Sequence, residues 1–350
     1  MTIYILNLLL ILFWYFIFSY KNSEFKTLLF LIIVGLQLVL LGGLRDITIG
    51  TDTFVYAAEY ETFQMYSFAQ YSRLEYGYVF IMSLLSYLNA HFNWLLITMS
   101  AIIVFFIFKG IHNISTNIFL SVYLFVSMYL YYYSFNVIRQ CIAVAICFFG
   151  YKYLLNRNLI KYALCVFMAA QFHTTAYIML PVYFIYILAK QKKLFLIFLV
   201  ISYFVIVFIN PFINFALRIL PRYIGYLDSF YMDSFVGMRY VLVYGAVVMF
   251  GLFIALKYKI DKKFLLEFLF ICLAFVLNIL TVYGFAMFAR LAWYFTIYSI
   301  IFIPNCMSKI SNKHMKVVLY ILVFSTTFIY HFYFLSVNYH RITPYLLFWR

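Results

Sequence analysis

Two arginines stand inside or beside long apolar stretches, where a charge needs a chemical explanation. Arg139 separates two apolar runs and has the amide side chains of Asn136 and Gln140 beside it, and Arg290 lies early in another apolar run. A guanidinium in hydrocarbon costs several kcal/mol unless a partner or a water-filled cavity relieves that cost. Each arginine is therefore either an interfacial anchor that reaches the lipid headgroups or a ligand for an anion at the mouth of a cavity.

Three side chains could accept a proton in a reaction near such an anion. His173 stands in a polar break, Gln171-Phe-His-Thr-Thr175, and unperturbed histidine titrates near neutral pH. Asp46 follows Arg45, and the two form either a structural ion pair or an anion site whose carboxylate orients the arginine. Glu75 opens a short apolar segment as either a helix-dipole partner or a functional carboxylate. His173 has the same alternative of an ordinary structural role.

Two more polar segments complete the inventory. Asp52 and Thr53 predict an N-cap for a helix that runs to about residue 66, and Arg341 belongs to a basic, polar C-terminal segment. The chain has no phosphate-binding P-loop, His-Glu-x-x-His, Gly-x-Ser-x-Gly or clustered Asp-x-Asp motif. These absences argue against an ATP-driven pump, a metalloprotease, a serine hydrolase and a metal-dependent nucleotide-sugar transferase. Five cysteines without Cys-x-x-Cys spacing predict no disulfide and no metal site.

The elements that must position these residues are membrane helices. The 350 residues are 68% hydrophobic and 10% charged, with a mean hydropathy of +1.01, which excludes a soluble domain. Several windows reach the roughly 18 apolar residues that cross a bilayer as a helix. We predict an all-α, polytopic bundle of about 11–13 spans in a single membrane domain, 1–350. The predicted spans are 2–20, 27–44, 93–109, 117–133, 137–155, 159–173, 175–189, 194–210, 238–257, 264–283, 286–304 and 316–337, with 76–90 as a partial, re-entrant or interfacial helix.

Basic residues predict the orientation of these spans. Four loops with a net charge of +3 each, 152–161, 190–193, 257–263 and 309–316, are assigned to the cytoplasm. Alternation then leaves 45–77, 133–136, 173, 210–237, 284 and 338–350 outside, with 45–77 and 210–237 as the main extracytoplasmic loops. All 15 lysines then lie on the cytoplasmic side, and nine of the ten arginines lie at or near the outer face. Arginine suits bidentate phosphate binding, so this distribution indicates an anionic ligand outside. The alternative is chance combined with interfacial anchoring. We attribute the net charge of +15 to cytoplasmic lysines and expect no nucleic acid partner.

An ordered set of short motifs resembles the EpsG/Wzy-type polysaccharide polymerase family. The order and spacing match along most of the chain, and weakly after residue 210, with one departure: Tyr76 stands where that family is expected to have proline. The motifs are Gly43-Leu-Arg-Asp46, Gly50-Thr-Asp-Thr53 with Tyr56, Glu75-Tyr-Gly-Tyr78, Ser134-Phe-Asn-Val-Ile-Arg-Gln-Cys-Ile-Ala143 and Phe172-His-Thr-Thr-Ala176 with Pro181.

The resemblance implies a GT-C-like, metal-independent glycosyltransferase without a cofactor. It would polymerise undecaprenyl-diphosphate-linked oligosaccharide repeat units on the outer face of a bacterial plasma membrane, among membrane lipids and with a chain-length regulator protein as partner. The expected substrate-binding residues are Arg45, Asp52, Asn136, Arg139, Gln140, Arg290 and Arg341. The expected catalytic residues are His173 or, failing it, Asp46 or Glu75. A flippase for lipid-linked glycan would use the same arginines without a base, and a membrane O-acyltransferase would need an intramembrane histidine.

Overall fold

The computed structural model describes residues 1–19, 23–65, 74–188, 234–282 and 287–349. In these ranges the chain is almost entirely helical, and the only β feature is a bridge between Arg45 and Leu347. The predicted all-α, polytopic membrane class is therefore confirmed. The α-helices are α1 (Thr2–Ser19), α2 (Glu24–Gly43), α3 (Thr53–Met65), α4 (Tyr76–Tyr87), α5 (Phe92–Ile114), α6 (Ile118–Ser127), α7 (Leu130–Tyr133), α8 (Ile138–Leu155), α9 (Leu159–Ala170), α10 (Val182–Leu188), α11 (Ser234–Lys257), α12 (Lys262–Val282), α13 (Met287–Thr296), α14 (Ser299–Ser308) and α15 (Lys313–Ser336).

Eight segments of the described chain are long and apolar enough to cross a membrane. They are α1, α2, α5, α8, most of α11, α12, the consecutive helices α13 and α14, and α15. Each coincides with one of the predicted spans. Helix α4 has 12 residues, fewer than the roughly 20 that a crossing requires, which agrees with the predicted partial helix. The predicted span 194–210 and most of loop 210–237 lie outside the described residues.

Three predicted spans are broken or short. The span 117–133 divides into α6 and α7 because Tyr129 adopts a left-handed backbone, with φ of 68°, which a continuous helix cannot contain. The predicted polar break at Gln171–Thr175 is present: α9 ends at Ala170, and a 3₁₀-helix begins at Thr174. Helix α10 follows as a short element of seven residues.

The chain forms two compact units, 1–177 with 311–350 and 178–310. In the first unit, α2 packs on α5, α5 on α8 and α8 on α9. In the second unit, α12 packs against α11, α13 and α14. Exposed leucine, isoleucine and phenylalanine side chains are numerous on the long helices. This pattern suits helices that face lipid.

Hydrogen bonds hold four connecting segments of the first unit against one another or against the start of a neighbouring helix. The segment after α2 contacts the C-terminal segment, since Asp46 N–H donates to the Leu346 carbonyl at 2.9 Å. The same segment leads into Thr53, whose hydroxyl donates a hydrogen bond to the Phe135 carbonyl in the turn before α8. The first turn of α4 contacts the turn after α9. All four segments belong to stretches that the sequence assigned to one side of the membrane; which side is external stays a prediction.

Candidate active site

The first turn of α8 meets the start of α4 through an ion pair. Arg139 is the second residue of α8, and its Nη1 atom donates to Oε2 of Glu75 at 2.8 Å. The guanidinium also lies over the ring of Tyr78, 5.3 Å from its centroid. The Arg139 and Glu75 side chains keep 23% and 15% of their surface exposed. The structure thus brings together a predicted ligand-binding arginine and a predicted carboxylate, both of them partly exposed.

Helix α3 completes the Arg139 cluster, which consists of Arg139, Glu75 and Tyr78 together with Tyr56 and Glu59 of α3. Tyr56 is buried, and its hydroxyl lies within hydrogen-bonding reach of Arg139. The Tyr78 hydroxyl donates to Oε2 of Glu59 at 3.3 Å. Sequence reasoning did not select Glu59, although its spacing held a signal: it follows Tyr56 by three residues and therefore shares that residue's helix face. Glu61, two residues further on, is exposed.

Glu59 differs electrostatically from an ordinary surface glutamate. Burial raises the pKa of its carboxyl, and this effect exceeds the lowering by nearby Arg139 and by the hydrogen bond from Tyr78. Burial likewise raises the pKa of the Tyr56 hydroxyl, so that this group stays neutral at physiological pH. The cluster therefore combines the Arg139 guanidinium, two carboxyl groups and the neutral Tyr56 hydroxyl.

The loop between α2 and α3 is fixed to the turn before α8, which sets α3 over Arg139. Asn136 Oδ1 accepts hydrogen bonds from the backbone N–H and the hydroxyl of Thr51, and the Thr53 hydroxyl donates to the Phe135 carbonyl at 3.0 Å. Gly50 has φ of 98°, and a Cβ atom there would lie 2.6 Å from the Phe135 oxygen. Only glycine fits this backbone and this close approach. The contacts of Asn136, a predicted ligand, thus position α3.

Arg45 lies inside the protein rather than on its surface. Its side chain is fully buried, donates to the backbone carbonyls of Gly42 and Phe135, and lies over the Phe135 ring, 4.4 Å from its centroid. Burial lowers the pKa of the Arg45 guanidinium to about 10, which leaves it charged at neutral pH. These contacts join the end of α2 to the turn before α8, and diphosphate binding by Arg45 stays a prediction.

Asp46 and Arg341 belong to the segments that hold this loop. The Asp46 carboxylate accepts from the N–H and the hydroxyl of Thr48, at 3.0 and 2.7 Å, an arrangement typical of a turn. The Arg341 carbonyl accepts from Gly50 N–H at 3.0 Å, and its side chain is exposed. The hydrogen bonds described for the Asp46 carboxylate therefore stay within its own turn, and none of them involves a residue of the Arg139 cluster.

The three other predicted ligands, Asp52, Gln140 and Arg290, lie on different elements. Asp52 accepts from the Thr51 hydroxyl at 2.8 Å and stands just before α3, so the predicted helix start is confirmed. Gln140 is buried beside Arg139 on α8. Arg290 is half-buried on α13 in the second unit. Their binding roles stay predictions.

His173 belongs to a turn that contacts α4. Its Nδ1 atom lies 2.6 Å from the Thr175 hydroxyl oxygen, and the side chain is half-buried. Two residues earlier, the Gln171 carbonyl accepts from Gly77 N–H at 2.7 Å. A Cβ atom at position 77 would lie 2.7 Å from that oxygen, so glycine permits the approach. The His173 turn is therefore attached to the same helix turn that Glu75 precedes.

The family model for the EpsG family matches residues 28–347. The chain belongs to the EpsG family. The match includes every residue of the Arg139 cluster and both loops that position it. EpsG family proteins are membrane proteins of the polysaccharide-polymerase type, associated with glycosyltransferase-like activity on lipid-linked glycan. No curated protein and no solved structure matches this chain.

Proposed function

We propose that this EpsG family protein joins undecaprenyl-diphosphate-linked oligosaccharide repeat units into a surface polysaccharide, on the outer face of a bacterial plasma membrane. One observation carries the proposal: a partly exposed Arg139–Glu75 pair at the start of a membrane helix, inside a cluster of tyrosines and carboxylates. Family membership supplies the reaction class, and this pair supplies groups suited to it.

Arg139 is the group best placed to bind a lipid diphosphate. Its guanidinium can form charge-assisted hydrogen bonds with phosphate oxygens. The N-terminus of α8, which has no side-chain cap, adds a favourable dipole for an anion. In polymerisation, negative charge grows on the departing diphosphate, so a fixed cation there lowers the barrier. Glu75 holds the guanidinium in place before the substrate arrives.

The reaction also requires an acceptor hydroxyl and a proton acceptor. The tyrosines at positions 56 and 78 provide aromatic surface and hydroxyls for sugar recognition. Glu75 contacts the arginine directly, and His173 lies in the turn attached to α4. Both remain proposed proton acceptors, as does Asp46. The proposed transferase uses these side chains without a metal ion.

A flippase would use Arg139 for the same diphosphate, so the test must separate the two functions. Cells that carry Arg139→Gln should accumulate single repeat units on lipid, with little long polymer. A polymerase defect leaves these units at the outer face, where an added lectin reaches them on intact spheroplasts. A flippase defect leaves them inside, out of reach. Units that stay inaccessible at normal protein abundance would overturn the polymerase proposal. Glu61→Gln, at an exposed position on α3, is the control.

A further inference from the structure

Arg139 faces two carboxylates that differ in their surroundings. Glu75 forms a direct ion pair with it at 2.8 Å. Glu59 lies on α3 and accepts a hydrogen bond from the Tyr78 hydroxyl at 3.3 Å. The charges of Arg139 and of Glu75 both act on Glu59. The cluster thus contains one carboxylate bound to the cation and a second bound to a neutral hydroxyl.

The two carboxylates differ in their contacts: Glu75 is held by the ion pair with Arg139, and Glu59 accepts a hydrogen bond from the Tyr78 hydroxyl. Glu59 carries a carboxylate that burial makes more basic, because burial raises the pKa of the Glu59 carboxyl above its usual value. Proton transfer is most efficient when the pKa of the base approaches the working pH.

We propose that Glu59 accepts the proton of the attacking sugar hydroxyl, while Glu75 orients Arg139; this inference rests on the proposed function. The acceptor oxygen forms a bond to the anomeric carbon of the donor as the bond from that carbon to the diphosphate oxygen breaks. The hydroxyl proton passes to Glu59. The electron pair of the broken bond leaves with the lipid diphosphate, whose charge Arg139 stabilises. Glu59 then releases its proton to water.

The position of Glu59 on its helix supports this role. Its neighbours on the buried face, Tyr56 and Tyr60, pack inside the protein, whereas Glu61 is exposed. Glu59 itself is half-buried and accepts from the hydroxyl of Tyr78, whose ring lies against the Arg139 guanidinium. This arrangement puts its carboxylate in the same cluster as the proposed diphosphate-binding arginine.

The test measures elongation by the full-length protein in membranes, with lipid-linked repeat units as the substrate. Glu59→Gln keeps the size and the hydrogen bond from Tyr78 but removes the base. We expect kcat to fall by about 10² to 10⁴, with KM changed little because Arg139 remains. Glu59→Asp should restore part of the rate. Glu61→Gln is the matched control on the same helix and should behave as wild type.

The pH profile separates a base from a structural residue. In the wild type, protonation of Glu59 should lower kcat as pH falls through its raised pKa, at a pH above the value of about 4.3 for a free glutamate. Glu59→Gln should lose this acid limb and keep a low, flat rate. If the wild-type protein and Glu59→Gln elongate glycan equally well, the inference about Glu59 is wrong and the proposed function stands. A wild-type protein that elongates nothing would overturn the proposed function. Loss of the limb in His173→Ala, but not in Glu59→Gln, would assign the base to His173.

Discussion

Arg139 Nη1 lies 2.8 Å from Glu75 Oε2, and this contact joins two helices across 64 residues of sequence. A cation at a helix N-terminus is unfavourable with respect to the helix dipole, so Arg139 is at a position where the backbone itself favours an anion. Glu75 supplies that anion. A diphosphate at the same position would gain from both the dipole and the guanidinium, which is why this pair organises the proposed site.

The first prediction concerns the planar geometry of the Arg139 guanidinium. Arg139→Lys keeps the charge but replaces a planar fork with a point charge, which cannot bind two phosphate oxygens side by side. We expect elongation to fall by about 10²-fold, as when one preorganised donor to a developing charge is lost. The control is Arg157→Lys, at an exposed position after α8. Normal elongation by Arg139→Lys, measured on the same substrate, would make Arg139 an interfacial anchor.

The second prediction concerns the close approach of α4 to the His173 turn. Gly77→Ala places a methyl group 2.7 Å from the Gln171 carbonyl oxygen and 3.1 Å from its Cβ, so the turn must move. A shift of about 1 Å in a positioned group can cost about 10² in rate. The matched control is Gly35→Ala, where the nearest atom to the new Cβ is 3.5 Å away. This helical position should tolerate alanine or gain up to about 1 kcal/mol of stability.

For this prediction, elongation and the midpoint of thermal unfolding in detergent are measured together. Gly77→Ala should lose far more activity than Gly35→Ala. Equal activity in the two variants would show that the contact between Gly77 and Gln171 does not position the site.

The sequence was most informative about features that single segments determine. Apolar length predicted the eight long spans, and the Asp52-Thr53 pair predicted the start of α3. The polar residues around His173 predicted the break after α9. Helix α4 begins at Tyr76, so the absence of proline there does not prevent the helix start. Each of these features depends on local composition and capping chemistry, which a single sequence records.

Relationships between segments could not be predicted in the same way. Helical periodicity identifies a buried face when the other face is polar, but on the long helices of this chain both faces are apolar and the pattern carries little information. Glu75 and Arg139 lie 64 residues apart, so no local pattern pairs them, and Glu59 was missed although it shares a helix face with Tyr56. The interruption at Tyr129 was missed for a related reason: left-handed tyrosine has no local signature, and the residue is held by distant contacts such as its hydrogen bond to the Tyr339 carbonyl.

The third prediction separates the tasks of two arginines. Arg45→Met should lower the amount of folded protein and its thermal midpoint, because the buried Gly42 carbonyl loses its Arg45 donor, at about 1–3 kcal/mol for a group left unsatisfied, while the Phe135 carbonyl keeps the Thr53 hydroxyl. Arg139→Met, at a partly exposed position, should keep a near-normal midpoint while elongation is lost. Unfolding in detergent and elongation per folded molecule are the measurements. An Arg45→Met protein of normal stability without activity would instead assign Arg45 to diphosphate binding.

The last prediction fixes the side of the membrane on which the Arg139 cluster lies. Single cysteines are placed at the exposed positions 61, 259 and 313 in a protein whose five native cysteines are replaced. Because lysine-rich loops stay in the cytoplasm, an impermeant maleimide on intact cells should label position 61 alone. Positions 259 and 313 should react only after permeabilisation. Position 61 lies on α3, the helix that carries Glu59, so it reports on the cluster directly. Labelling of 259 and 313 but not 61 on intact cells would place the cluster in the cytoplasm, where an outer-face polymerase cannot work.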